Sequence, residues 1–516
     1  MRHRVPVALA ALTLLFAAAC GTGGEPVDQG AEATLPATPP AAELDLDATA
    51  NVRLVLEPTS LNTFTTAGVA LDQVLLDNVY QGLVGIDTNQ NGKIVPRLAT
   101  SWDIAPDGLS YTFHLVSNAR FHDGSPLTAA DAAWSLQQQI APGTKSVKAS
   151  GFSSVREVSA PDPATVLVTL TERDTDLLWN LTQRGGIVYK QGTDFATLDG
   201  VANGSGPFTL AGWNRGASLS LARNENYWGD KAKVAEVVFH YIKEANTANN
   251  AQETGQTDVQ TGADPTLLQP FTGDSGFTVL KGNTTDEFTL AFNGAQAPFT
   301  DPRVRHAIRQ AIDKNAIVSA VGAGTRIGSP VPPQDPWYED LTAIDAHDPG
   351  SARTLLAEAG FGDGLALTLD VPSIYPSAIS DVLVSNLKEV GVTLTVRPVE
   401  FQNWLTKVYT NKDFQLSLVD HAEARDLDNY TKPTYYFGYD DAGVRDLFAR
   451  ARTAASDTER DELLRQATRR IAEAAAADWL FVAQTTTVVR AGVYGVPQHE
   501  TSTRFDVSGL AIAARK

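Results

Sequence analysis

SARTLLAEAGFGDGLALTLDVPSIYPSAISDVLVSNLKEVGVTLTV, residues 351–396, reads as helix, strand, helix, strand. The helical period from Ser351 to Ala359 stops at Gly360, where a left-handed residue can close the last turn. Leu365 to Val371 follows as a strand. Ala378 to Val390 returns to the helical period and is stopped by Gly391, and Val392 to Val396 is the next strand. Alternation of this kind builds a sheet covered on both sides, so this part of the chain is an α/β lobe.

Upstream, Asp301-Pro302-Arg303 marks another helix start. Asp is a favoured N-cap, Pro suits the first helical position, and Val304, Ala307, Ile308, Ala311 and Ile312 share one face. Downstream, helical periodicity runs from Ala442 to Ala475. The first half is also β/α. Asn51 to Glu57 reads as a strand and Leu71 to Gly82 as a helix. In Ser110 to Val116 the large apolar residues Tyr111, Phe113 and Leu115 alternate with polar ones, the period of a half-buried strand. Thr128 and Asp131 form a capping-box pattern ahead of a helix from Ala129 to Gln138. No repeat of fixed period is visible, which excludes solenoids and propellers.

A chain of 516 residues, 43% hydrophobic and 20% charged, is too long for one compact core, so two or three lobes with a cleft between them are expected. The formal charge of −19 excludes a protein that neutralises nucleic-acid phosphates or adheres to anionic lipid through a basic face. Arg2, His3 and Arg4 precede an apolar run from Val5 to Ala19, which has the length and flank of a secretory signal. The run ends at Cys20, the one cysteine, in the pattern of a bacterial lipoprotein signal whose cysteine is lipidated. Gly21 to about Ala50 lacks periodicity and aromatics and reads as a flexible tether.

No G-x-S-x-G elbow, H-E-x-x-H or P-loop is present, and Gly322 to Gly328 lacks the spacing of a dinucleotide loop, so an exported hydrolase is disfavoured. The histidines, at 3, 114, 122, 240, 306, 347, 421 and 499, form no short-spaced pair, so neither a resident metal nor another cofactor is expected. Two stretches look suited to ligand contact. In Asn203-Gly204-Ser205-Gly206, absent Cβ atoms either let backbone amides approach a ligand or simply permit a tight turn. In Asp420-His421-Ala422-Glu423-Ala424-Arg425, acids stand beside an arginine whose planar fork suits a carboxylate, unless the run is a solvated loop of internal ion pairs. Asn62 and Thr63 follow the first strand, where open sheets place ligands. Trp404 and the group Tyr435, Tyr436, Phe437 and Tyr439 either line a cleft or fill a core. Trp102, Tyr111, Phe113, Tyr227 and Trp228 are read as core aromatics.

Ordered blocks carry a family resemblance. They are Tyr80-Gln81-Gly82-Leu83-Val84, Ile94 to Trp102, Asp107 to Leu115 and Phe121 to Asp131; then Gly204 to Phe208, Leu221 to Trp228 and Gly255 to Val259; then Phe292-Asn293-Gly294, Pro298 to Ile308 and Leu355 to Phe361. In order and spacing the chain resembles the peptide/nickel class, family 5, of bacterial extracellular solute-binding proteins.

The resemblance implies an α/β, two-lobed periplasmic-binding-protein-like fold of the large cluster C type, with an additional subdomain inserted in the first lobe. After the signal (1–20) and tether (21–48), lobe Ia would comprise 49–78, 183–288 and 485–516, subdomain Ib 79–182, and lobe II 289–484. It further implies a monomeric, extracytoplasmic, lipid-anchored component of an ABC importer. Such a protein captures di- or oligopeptides by hinge closure and hands them to permease subunits without covalent chemistry. Chelated nickel, a sugar or an opine are the alternative cargoes, and a sensor would look the same. In peptide-binding relatives the stretch at 420–426 carries Gly-Trp and then an Asp that pairs with the peptide ammonium. Counting forward from Phe414 puts His421 at the Trp and Ala424 at the Asp; counting back from Tyr430 puts Asp420 and Glu423 there. By the same resemblance the 203–206 loop borders the cleft.

Overall fold

In the computed structural model, residues 33–514 are described, apart from 67, 91, 274, 423 and 500. The signal run, Cys20, the first part of the tether and Glu423 therefore lie outside the described residues. Among the described residues no helix is long and apolar enough to cross a membrane.

The main sheet runs Val392–Val399, Leu365–Pro372, Leu416–His421, Phe277–Phe292, Ala477–Arg490, Val259–Gln260, Thr49–Leu54, Glu236–Tyr241, Ser218–Arg223, Phe208–Asn214, with Thr325–Arg326 pairing to Ala477–Arg490 off this path. Its centre is a pair of long antiparallel strands. Phe277–Phe292 has 16 residues, a rise of roughly 50 Å, which is enough to cross from one core to another. It pairs with Ala477–Arg490 from Phe277↔Arg490 to Ala291↔Ala477, with register breaks between Asn283 and Glu287 and between Phe288 and Thr289. Thr284, Thr285 and Asp286 lie in the first break.

Apolar side chains collect in separate cores, with Leu280 and Val489 at one end of these strands in one core and Phe288 to Phe292 and Ala477 to Val482 at the other end in different ones. One takes Ala50 to Tyr80, Ile187 to Val259 and Val489 to Leu510. Another lies within Leu83 to Val188 and includes the four-stranded sheet Ala99–Ile104, Ser110–Leu115, Thr165–Leu170, Val155–Asp162. Two more fill the region from Phe288 to Val482.

Local signals explain most element ends. The Asp301 carboxylate accepts from Arg303 N and caps Pro302–Ala311, whose Val304, Ala307, Ile308 and Ala311 are fully buried. Thr128 and Asp131 form the expected reciprocal box on Ala129–Ile140. Gly360 and Gly391, both at positive φ, follow Pro349–Glu358 and Ser377–Glu389.

Two expectations change. The helix expected over Leu71 to Gly82 spans only Ala70–Leu75. Asp77 turns into the left-handed region at φ 67, and the Asn78 amide donates to both Val74 O and Phe505 O, which pulls the chain out of the helix. The body also begins before residue 49. Leu44 bridges to Ala513, Asp45 N donates to Ile512 O, and Leu35 packs on the first core, so the end of the expected tether is docked.

Candidate functional site

A cavity of about 470 Å³ opens between residues of the 79–182 region and residues of the 289–484 region. Asp174, Asp176, Trp179 and Asn180 line one side, and Trp337, Arg425, Asp426 and Arg452 the other. A second cavity, about 850 Å³, meets it at Trp179, Thr285, Ala424 and Arg425.

Direct contacts join the two walls beside the cavity. Thr175 N donates to Arg452 O at 3.0 Å, Thr175 Oγ1 donates to Ala451 O at 3.3 Å, and Arg452 Nη2 meets Asp174 Oδ2 at 3.1 Å. The Ser154 hydroxyl also donates to that Asp174 oxygen. These contacts form where the two walls meet.

Arg425 is the sequence-derived residue that faces this space. It follows the strand Leu416–His421 and takes the left-handed conformation at φ 60, a geometry unfavourable for a side chain with a Cβ. That turn lays its guanidinium over Trp179, 4.0 Å from the ring centroid, with Trp337 at 5.3 Å. Burial pushes its pKa down, while Asp335 and Asp176 pull it up. Among the described residues it makes no hydrogen bond or ion pair, so its planar set of donors is available to a ligand.

His421 and Asp420 turn inward instead. His421 Nδ1 lies 3.3 Å from Asp426 Oδ2 and Nε2 2.9 Å from the Tyr436 hydroxyl, with the ring stacked on Phe437. Asp420 N donates to Tyr375 Oη, while its Oδ1 is buried and, among the described residues, has no hydrogen-bond partner. Burial first, and Asp286 second, hold the Asp420 carboxyl well above the usual carboxylate range. Glu287, opposite His421 in the sheet, is raised in the same way by burial and then by Asp426, Asp335 and Asp420. Neither Asp420 nor His421 is among the described residues lining either cavity.

The remaining expected contacts have structural work. Trp404 is 3% exposed, sits in an apolar core and donates Nε1 to Ser417 Oγ at 2.8 Å; it is a core residue, not a cleft residue. Tyr436 and Phe437 fill the same core. A Cβ on Gly204 would collide with Val79 O and one on Gly206 with Asn78 O, so these glycines serve close chain packing. Ser205 is fully buried and donates to Gln81 Oε1, and both amide-group ends of Asn203 bond Asp123. Asn62 closes its own turn, accepting from Phe64 N and Thr65 N, and Thr63 Oγ1 pairs with the Tyr189 hydroxyl inside the core. Most of these partners, Ser417, Gln81, Asp123 and Tyr189 among them, lie elsewhere in the sequence.

Sequence reasoning missed Asp174, Asp176, Trp179, Trp337 and Arg452. Asp176 and Trp179 stand three apart at the start of Leu177–Thr182, so they share one face of the helix. A T-D-L-L-W-N stretch with no flanking motif offered no signal for them.

Residues 93–443 match the family described as Bacterial extracellular solute-binding proteins, family 5 Middle. Heme-binding protein A of Haemophilus influenzae is 28% identical over 384 residues, covering 68% of this chain and 67% of that protein. The protein named Probable di/tripeptide-binding protein 5 of Pseudomonas aeruginosa is 27% identical over 470 residues, covering 82% and 87%. The solved periplasmic binding protein DppA from Helicobacter pylori, in complex with the peptide STSA, superposes with a TM-score of 0.79 at 22% identity over 91% of this chain and 98% of its own, which shows the shared fold. The chain belongs to the bacterial extracellular solute-binding proteins of family 5.

Proposed function

We propose that this protein captures short peptides outside the cytoplasm and delivers them unaltered to the permease of an ABC importer. The Pseudomonas relative's name and the peptide in the Helicobacter complex support this cargo class. The observation that carries the reading is Arg425, a guanidinium that among the described residues makes no hydrogen bond or ion pair and stacks on Trp179 in a cavity between two walls. Such a group holds a peptide carboxylate bidentately, and it does so only when the walls meet. The long paired strands Phe277–Phe292 and Ala477–Arg490 serve as the hinge.

The lobe division at 49–78, 79–182, 183–288, 289–484 and 485–516 is part of this proposal. So are a monomeric state, the absence of catalysis, and membrane attachment through lipidated Cys20. Glu423 stays the sequence-derived candidate for an anionic clamp. Mass spectrometry of small molecules released from purified protein tests the cargo. Recovered peptides bear the reading out; a haem Soret band on titration with haemin, suggested by the Haemophilus relative's name, with no peptide bound, would replace it. Detergent phase partitioning of the wild type against Cys20→Ser tests the anchor.

A further inference from the structure

Most charges around the smaller cavity already have partners. Arg184 Nε meets Asp72 Oδ1 at 2.6 Å, Arg452 meets Asp174 at 3.1 Å, Lys432 meets Asp428 at 2.7 Å, and Arg504 meets Asp77 at 3.3 Å. Asp426 meets His421. Asp176 stands apart from this scheme. Its carboxylate lines the cavity, and among the described residues it makes no hydrogen bond and no ion pair. Arg425, on the opposite wall, has none either, and no ion pair within 4.0 Å joins the two. Each still feels the other: Asp176 is raised by burial and by Asp174, and Arg425 is the first of the cations pulling it down.

Two opposite charges held apart in a half-buried space are costly, because desolvation is not offset by pairing. A molecule carrying a cation at one end and an anion at the other offsets both. We infer that Asp176 receives the cationic group of the ligand while Arg425 receives its anionic group, with Trp179 beneath, so that the cargo is a short zwitterion spanning the two walls. This rests on the peptide-capture reading and adds the residue that takes the ammonium. Asp176 belongs to one wall and Arg425 to the other, so only the closed state satisfies both ends of one ligand. Asp420 does not share the role in this arrangement, because it lines neither cavity and its Oδ1 is buried.

Calorimetry with three probes tests the assignment: the dipeptide Ala-Phe, propionyl-phenylalanine, which lacks only the ammonium, and Ala-Phe amide, which lacks the carboxylate. Wild type should bind the dipeptide at least about tenfold more tightly than either analogue, the loss expected for one charge-assisted hydrogen bond. Asp176→Asn should no longer distinguish the dipeptide from propionyl-phenylalanine yet still reject the amide. Arg425→Gln should show the converse. If Asp176→Asn retains the preference for the ammonium and Glu423→Gln loses it, the assignment to Asp176 is overturned while peptide capture stands. If the wild type binds none of the three, the peptide reading falls and this inference with it. Unchanged thermal melts of the variants confirm that folding is not what is being read.

Discussion

Replacing Arg452 by alanine should loosen closure without disturbing either wall. Its guanidinium is 34% exposed and reaches Asp174, which is 2% exposed, at 3.1 Å. Asp174 keeps the Ser154 hydroxyl after the change, so it is not left without a donor. An ion pair with one half-exposed member contributes about 1 kcal/mol. The Thr175 bond to the backbone at residue 452 survives the substitution, so no larger loss is expected. Ligand affinity scales with the population of the closed form, and about 1 kcal/mol corresponds to about fivefold. Arg452→Ala should therefore raise the Kd for a bound dipeptide about fivefold, mostly through faster release, with an unchanged melting temperature for the empty protein. Arg450→Ala is the control, since its pairing with Asp446 joins two exposed side chains one turn apart on the same helix. Stopped-flow fluorescence gives the release rate and calorimetry the Kd. Equal values for wild type and Arg452→Ala would refute the claim that this pair belongs to the closed state.

Arg425→Ala should weaken dipeptide binding at least about tenfold, and Arg425→Lys should recover only part of it, because an ammonium lacks the planar fork and stacks less well on Trp179. Trp404→Ala should cost about 3–5 kcal/mol of stability in urea unfolding, as for other buried tryptophans, without selectively lowering ligand affinity. Asp420→Asn should stabilise the protein in a pH-dependent way. Below the ordinary aspartate value of 3.8 both folded and unfolded chains hold the proton, so the variant and wild type match; as pH rises the unfolded chain ionises freely while burial and Asp286 oppose ionisation in the fold, and wild-type stability falls through the raised folded value. At pH 8 the variant should be ahead by about 1–3 kcal/mol in urea titrations, the scale of a buried polar group without a partner.

The elements that were legible in sequence are those whose limits are set locally. Asp301-Pro302 and Thr128/Asp131 satisfy their own helix amides, and Gly360 and Gly391 stop helices by their own backbone freedom, so no distant residue is needed to read them. The short helix Ala70–Leu75 was overextended because Asn78 is tied to Phe505, far along the chain. The 203–206 loop left a ligand cradle and a tight turn both open for the same reason: its glycines make room for Asn78 and Val79, which sequence spacing does not reveal. Of the candidate site, Arg425 was legible as a carboxylate-seeking side chain, whereas Asp176 and Trp179 gain their meaning only from the wall they meet.

Small-angle scattering on the purified protein, titrated with a peptide recovered from it, tests the hinged capture most directly. The account predicts a more compact particle at saturation and release of the same peptide, chemically intact, on unfolding. Superimposable profiles with and without the peptide, or a peptide that emerges cleaved, would contradict it.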